Sequence, residues 1–280
     1  MRTLLVLARI SNVPTVWSNC FAASLLAGGT SGSRLALLCL GATLLYTGGM
    51  FLNDAVDEAF DRQYRPERPI VSGKISARSV WVLSVLLLTS GWVVLACLGK
   101  VAAGFSSALL VTIVWYDFVH KKTKLAPLLM AACRFLLYLM SAAVASGTGP
   151  RLVWIPALGL AAYIVGLSYL ARGESTGGVW SRWPLGLLFV PALLAIFIFH
   201  RPPMLLCATG IVLIIQIGWT LWCVWPGKLQ ALAFIPRGVA GLLAGIVFVD
   251  WLAISGTGHA VVFASLFVCA LFSQRIAPAT

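Results

Sequence analysis

Acidic side chains are scarce in this chain. Its 280 residues include eight Asp and Glu against 20 Lys and Arg, and charged residues make up only 10% of the whole. That little charge excludes an ordinary soluble domain, in which about a quarter of the residues are charged. The formal net charge of +12 is distributed over short loops, a placement that speaks of membrane topology and against nucleic acid as a partner. Seven cysteines are present, each inside an apolar run and none at C-x-x-C spacing. This excludes a zinc ribbon or a disulfide framework and leaves them as small packing residues. Low-complexity stretches and long polar segments are absent as well, so the sequence offers no separate soluble domain.

What remains is apolar: 60% of residues are hydrophobic and the mean hydropathy is +0.97. Apolar runs fall near 13–29, 34–52, 79–98, 101–118, 125–146, 153–171, 184–200, 203–225, 232–252 and 259–273. Each is near the length that crosses about 30 Å of hydrocarbon. The expectation is an all-α, polytopic membrane helical bundle of nine to ten transmembrane helices, one domain over 1–280. The first run follows Arg2 and Arg9 as a signal peptide would, but Asn12, Pro14, Trp17 and Asn19 interrupt it, so it reads as a retained span.

Basic residues alternate along the loops. Arg62, Arg65, Arg68, Lys74 and Arg78 follow the second run, Lys121, Lys122 and Lys124 the fourth, Arg172 and Arg182 the sixth, Lys228 and Arg237 the eighth, and Arg275 the tenth. The intervening loops hold Arg34, Lys100, Arg151 and Arg201, one each. The positive-inside rule then places the N-terminus and the basic loops in the cytoplasm.

Five of the eight acidic residues crowd one region, Asp54, Asp57, Glu58, Asp61 and Glu67. Residues 53–61 read N-D-x-x-D-x-x-x-D. At about 100° per residue Asp54, Asp57 and Asp61 share one helical face, with Asn53 a turn before Asp57. Carboxylates on one stripe at the edge of a span repel each other and resist desolvation. A bound Mg²⁺ relieves both costs and brings phosphates with it. Arg65 and Arg68 beyond the stripe, with Lys121 and Lys122 on the same face, suit the phosphate oxygens of a diphosphate. Pro66, Pro69 and Gly73 stiffen and turn that loop as a lid would be built. Two plainer readings stand beside this one: a solvated acidic patch past a helix end, and a basic loop drawn to anionic lipid.

Within the spans, Tyr46 lies seven residues before Asn53, and Asn12 and Asn19 form a polar stripe on the first run. Together they outline an intramembrane pocket, polar at its mouth and aromatic and apolar inside; packing alone also accounts for Tyr46. Arg134 falls near the middle of the fifth run, where a guanidinium needs a polar cavity or a partner, so a structural salt bridge and a catalytic role are both open. His120 reads as an interfacial loop residue. Asp250 falls at the outer end of the ninth run with no catalytic role.

These residues resemble a known family. The 53–61 stripe followed by Arg68-Pro69-Ile70-Val71-Ser72-Gly73 resembles the first aspartate motif and following loop of the UbiA superfamily of intramembrane prenyltransferases. Tyr116 with Lys121, at a spacing one residue wider, is similar to that family's Y-x-x-x-K element, and Arg9-Ile10-Ser11-Asn12-Val13-Pro14-Thr15 to the start of its first helix. The resemblance implies a bundle of about nine helices around a lipid-accessible cavity in a bacterial inner membrane. It also implies Mg²⁺-dependent ionisation of a prenyl diphosphate and transfer of the prenyl group to a hydrophobic or aromatic acceptor. Asp54, Asp57 and Asp61 are then catalytic and, with Asn53, metal-holding. Arg65, Arg68, Lys121, Lys122 and Arg172 bind the diphosphate, and Asn12, Asn19, Tyr46, Tyr116, Asp117 and Arg134 line the cavity.

One departure matters. The family carries a second aspartate motif, D-x-x-x-D, at the corresponding end of its sixth span. Here that place reads Tyr169-Leu170-Ala171-Arg172-Gly173-Glu174-Ser175, with Glu174 alone acidic, similar to a divergent EboC-like subgroup. Arg172 offers a fixed charge in place of a metal, and Asp117 offers a carboxylate if the second and fourth spans meet. A rival reading follows: a non-catalytic binder or carrier of a lipid diphosphate, or an accessory subunit with protein partners. A secondary transporter fits less well, since the second half shows no repeat of the 53–73 motif.

Overall fold

The computed structural model describes residues 2–148, 153–175, 183–197, 203–225, 235–254 and 257–277. Arg151, Arg182, Arg201 and Lys228 of the basic alternation lie outside them.

Helices begin and end where the sequence supplies punctuation. α1 (Arg2–Leu7) leads through a 3₁₀ turn, Ile10–Asn12, into α2 (Val13–Leu26), which takes Pro14 in its first turn, where a missing N–H costs nothing. Ser31 caps α3 (Gly32–Val56), its hydroxyl accepting the Arg34 N–H at 3.4 Å. The helix breaks at Asp57 and resumes as α4 (Glu58–Tyr64). Ser76 caps α5 (Ala77–Ala96) in the same way as Ser31. α6 (Lys100–Val119) and α7 (Ala126–Ser146) follow, the latter stopped by Gly147 at φ +69°. The remainder comprises α8 (Trp154–Ser175), α9 (Trp183–Leu187), α10 (Val190–Phe197), α11 (Pro203–Cys223), α12 (Ile235–Ile254) and α13 (Ala260–Ile276). Among the described residues no strand is present.

Six helices, α3, α5, α6, α7, α8 and α12, are long and apolar enough to cross a membrane by length and composition. The apolar stretches 183–196, 207–223 and 260–276 are shorter, and α2 has 14 residues. Six therefore meet both criteria among the described residues, and the shorter stretches fall on runs where further spans are expected. The run near 184–200 is divided because Pro191, lacking an N–H, begins a new helix instead of continuing the old one. α2 starts at Val13, as the run does, and stops at Leu26, ahead of Gly28 and Gly29 with their positive φ.

α3 and α5 pack backbone to backbone. A Cβ on Gly91 would lie 2.8 Å from the Leu45 nitrogen and 2.9 Å from the Gly41 oxygen, and one on Gly48 would lie 2.9 Å from the Leu88 nitrogen. Ser84 Oγ donates to the Gly48 carbonyl at 3.0 Å across the same contact. Small residues permit this approach, which in lipid is driven by packing and interhelical hydrogen bonds. Gly91→Ala is expected to cost about 1–3 kcal/mol of stability through overpacking. Gly104→Ala, where a Cβ meets nothing within 4 Å, should stabilise by about 0.5–1 kcal/mol through helix propensity. Thermal unfolding of the two variants in one detergent checks the difference.

α2 occupies the centre, in contact with α3, α7, α12 and α13. It is a core helix of the bundle. At the end away from the acidic stripe, one Arg34 guanidinium nitrogen donates to the carbonyls of Leu98 (2.7 Å) and Val144 (3.2 Å), gathering the exits of α5 and α7. At the other end, the N-terminus, the 57–76 segment, the α6–α7 connection and the end of α8 come together around an opening.

Candidate active site

The opening leads into a cavity of about 1610 Å³ walled by α1, α2, α3, α4, α6, α7, α8 and α12. Its mouth is charged. Four carboxylates reach it from two walls: Asp54, Asp57 and Asp61 along the α3–α4 junction, and Asp117 from the end of α6. All are buried, at 4%, 8%, 4% and 2% relative exposure. The stripe does not lie on one continuous helix as expected. Asp57 sits at the junction in a helical conformation, φ −79° and ψ −1°, so the break bends the stripe without turning any carboxylate away.

Each carboxylate meets a different environment. Asp54 Oδ1 takes Arg9 at 3.4 Å and Arg68 at 3.5 Å. Asp57 Oδ2 takes His120 Nε2 and Lys121 Nζ, both at 3.2 Å. Burial alone would raise the Asp57 carboxyl, but the His120 bond and the Lys121 charge outweigh it and hold it below its ordinary value. Asp61 has no ion pair among the described residues, and burial pushes its carboxyl up despite the attraction of Arg68. Burial, with Arg9 nearby, lowers the Arg68 guanidinium. Lys121 also lies 3.7 Å over the Phe60 ring, and His120 stacks on Tyr116 at 5.1 Å.

Asn53 ties the two walls. Its amide nitrogen donates to Asp117 Oδ1 at 3.1 Å, and its oxygen accepts from Arg9 at 3.3 Å. α3 and α6 therefore do meet. Arg9 reaches this position from a left-handed backbone, φ +41°, the one non-glycine residue with positive φ among the described residues. Such a conformation costs on the order of 1–3 kcal/mol and persists where the surroundings enforce it. Here the Arg9 carbonyl accepts from Tyr46 Oη at 3.3 Å while its guanidinium holds Asn53 and Asp54.

Most of the expected site residues converge. Asn12, Tyr46, Arg65, Tyr116, Arg134 and Arg172 line the cavity with the mouth residues already named. Glu67, Arg68, Pro69 and Lys74 do too, so the proline-rich loop forms part of the rim. Three expectations need correction. Lys122 is exposed and outside the lining, because Lys121 alone of the pair points back over Phe60. Asn19 lies behind the wall, accepting from Arg134 at 2.7 Å and donating to Asp250 Oδ2 at 2.7 Å. Asp250 is not an outer-end residue: it is 1% exposed and also accepts from Ser18 Oγ. A carboxylate among apolar helices is drawn to the donors on α2. Arg134 makes no direct ion pair among the described residues; it donates to Asn19 and to Thr15 Oγ1, the latter at 3.0 Å.

Two residues were missed as site members. His120 is a contact of Asp57, and its placement one residue before Lys121 and four after Tyr116 was the available signal. Arg9 stood in the sequence as a loop charge; nothing in its neighbours announces a left-handed turn. Arg172 donates to the Thr123 carbonyl at 2.7 Å. The side chain of Glu174 lies outside the described residues.

Oxygen donors dominate the mouth, which suits Mg²⁺. Asp54 Oδ2, Asp61 Oδ1 and Asp117 Oδ2 are buried with no hydrogen-bond partner. No three His, Cys, Asp or Glu side chains form a ready-made metal cage among the described residues. Mg²⁺ does not require one, since it is held by one or two carboxylates, waters and substrate phosphates.

Comparison with known proteins gives a consistent picture. The profile of the UbiA prenyltransferase family matches residues 12–235. A 4-hydroxybenzoate octaprenyltransferase of Albidiferax ferrireducens is 26% identical over 192 residues, 65% of either chain. A digeranylgeranylglyceryl phosphate synthase of Natronomonas pharaonis is 33% identical over 122 residues, covering 43% of this chain and 44% of that one. The chain thus spans about two thirds of the first of these curated relatives and under half of the second. Among solved structures, a UbiA homolog from Aeropyrum pernix superposes with TM-score 0.64 at 17% identity, covering 86% of this chain and 96% of that one. Another from Archaeoglobus fulgidus, bound to DMAPP and Mg²⁺, does so with TM-score 0.60 at 16% identity, covering 89% and 99%. At these identities the structures speak for the fold.

Proposed function

The chain belongs to the UbiA prenyltransferase family, and we propose that it moves a prenyl group from a prenyl diphosphate to a hydrophobic or aromatic acceptor within the membrane. The observation that carries this reading is the meeting of four buried carboxylates and a set of cations at the mouth of a cavity whose interior is apolar. Mg²⁺, when bound with the diphosphate, would supply positive charge to offset that of the phosphate oxygens. Asn53, Asp54, Asp57 and Asp61 would hold it. A homolog of the same fold binds DMAPP and Mg²⁺.

The chain's own residues then divide the work. Arg9, Arg65, Arg68 and Lys121 surround the diphosphate, and neutralise the charge that grows on it as its bond to the prenyl carbon breaks. Arg172 adds a fixed positive charge from α8. The prenyl tail lies along Val16, Leu45, Leu109, Leu137, Ile164 and Leu243, which line the interior and keep water from the allylic cation. Tyr46 and Tyr116 present aromatic faces to the same space. The acceptor attacks the cation, a new bond to the prenyl carbon forms, and the acceptor's proton leaves.

Arg134 lies about 12 Å along α7 from Ala126 at the mouth, too deep for the diphosphate and of no use to a hydrocarbon tail. It supports an acceptor with an acidic group directed inward. The names of the relatives, 4-hydroxybenzoate and digeranylgeranylglyceryl phosphate, both denote acids. The excess of basic residues around the mouth supports a cytoplasmic opening with anionic lipid at the rim; the reading takes 1–280 as one domain in a bacterial inner membrane.

A second reading has its own support. α8 presents Arg172 where a carboxylate motif would stand, which fits a binder or accessory protein that holds a prenyl diphosphate without cleaving it. Pyrophosphate release by the purified protein, from a panel of prenyl diphosphates with Mg²⁺ and a membrane lipid extract as acceptor source, separates the two. Mg²⁺-dependent release is expected. Retention of the prenyl diphosphate without release, across acceptors, would favour the binder.

A further inference from the structure

The four mouth carboxylates are not equivalent, and the difference assigns a role to Asp117. Asp54 and Asp57 each have cationic partners. Asp61 has none, but Arg68 and Lys121 stand near it. Asp117 stands across from these three, on α6. It is 2% exposed, has no ion pair among the described residues, and takes one hydrogen bond, from the Asn53 amide to Oδ1. Its other oxygen is buried without a donor.

An ionised carboxylate buried in this way is costly unless a positive charge meets it. Arg9, which shares Asn53 with Asp117, is committed to Asn53 and Asp54. Lys121 and His120 are committed to Asp57. Arg172, on the α8 side, is turned to the Thr123 carbonyl. The protein thus leaves a charge on the α6 wall for something else to neutralise, one hydrogen bond away from Asn53 of the acidic stripe.

We propose that Asp117 is a ligand to a divalent cation at the mouth, so that carboxylates from two helices, α3 and α6, face each other across the diphosphate. This rests on the reading of the mouth as a metal-diphosphate site. It gives that site a second negative pole from α6, where α8 among the described residues contributes a cation instead. The competing account is that Asp117 only orients the Asn53 amide, with its second oxygen protonated.

Asp117→Asn distinguishes them. An amide keeps an oxygen to accept from Asn53, so an orienting role survives, whereas a metal ligand loses its charge. The test is Mn²⁺ binding, followed by electron paramagnetic resonance, to the full chain in detergent with saturating inorganic pyrophosphate. The proposal expects the apparent Mn²⁺ dissociation constant to rise at least about tenfold in Asp117→Asn and to stay near the wild-type value in Asp117→Glu. Wild-type affinity in Asp117→Asn overturns it. Asp117→Ser carries the same expectation should the amide variant fail to fold. Asp57→Asn is measured alongside: loss of Mn²⁺ there with none in Asp117→Asn refutes this proposal and leaves the diphosphate site standing. Absence of Mn²⁺ binding by the wild type removes both.

Discussion

Asp57→Asn is expected to lower Mg²⁺-dependent pyrophosphate release by about a hundred- to a thousandfold, the range seen when one preorganised electrostatic contact to a developing charge is removed. The substitution is nearly isosteric, so the bend between α3 and α4 should survive. What it removes is a charge that is present at any working pH, because His120 and Lys121 hold the Asp57 carboxyl below its ordinary value against the effect of burial. It also releases those two cations, which lie at 3.2 Å from the lost oxygen. They remain in place to attract phosphate. Binding of inorganic pyrophosphate without metal should therefore be unimpaired or tighter while turnover collapses. A variant that elutes as a monodisperse protein and releases pyrophosphate at the wild-type rate would refute the assignment of this stripe.

That stripe was legible in the sequence because its information is local. Three aspartates at i, i+3 and i+7 share a face in any helical conformation, and the break at Asp57 did not disturb them. The apolar runs were legible for the same reason, since each needs only its own composition. The division of the run near 184–200 was not, because Pro191 begins a new helix and composition alone does not register that. The cross-chain contacts were the least legible. Arg9 enters the site through a left-handed turn that its neighbours do not encode, and Asp250 is defined by residues more than 200 positions away, Ser18 and Asn19. Arg134 stood out only as a misplaced charge, and the choice between salt bridge and functional group could not be made without seeing that an amide separates it from Asp250.

That separation leads to the second large effect. Arg134 and Asp250 carry opposite charges with Asn19 between them, its oxygen accepting from one and its nitrogen donating to the other. Neither charge is compensated by direct contact, yet each is the nearest answer to the other inside the bundle. Arg134→Met should leave Asp250 stranded and Asp250→Asn should leave Arg134 stranded, each costing about 3–5 kcal/mol, as expected when one member of a buried pair is removed. The double variant should recover most of that loss, because it removes both desolvation penalties and fills the space with a flexible apolar chain. Stability and function are then expected to part. With Arg134 gone the double variant should fold and still bind pyrophosphate at the mouth, but transfer to an acidic acceptor should fall by about tenfold or more, as when a charged hydrogen bond to substrate is lost. Thermal unfolding of the four proteins of the cycle gives the coupling, and acceptor-dependent turnover gives the role. A double variant both stable and fully active would make the Arg134–Asn19–Asp250 relay a structural tie alone, and would move the search for the acceptor's anchor elsewhere along the cavity wall.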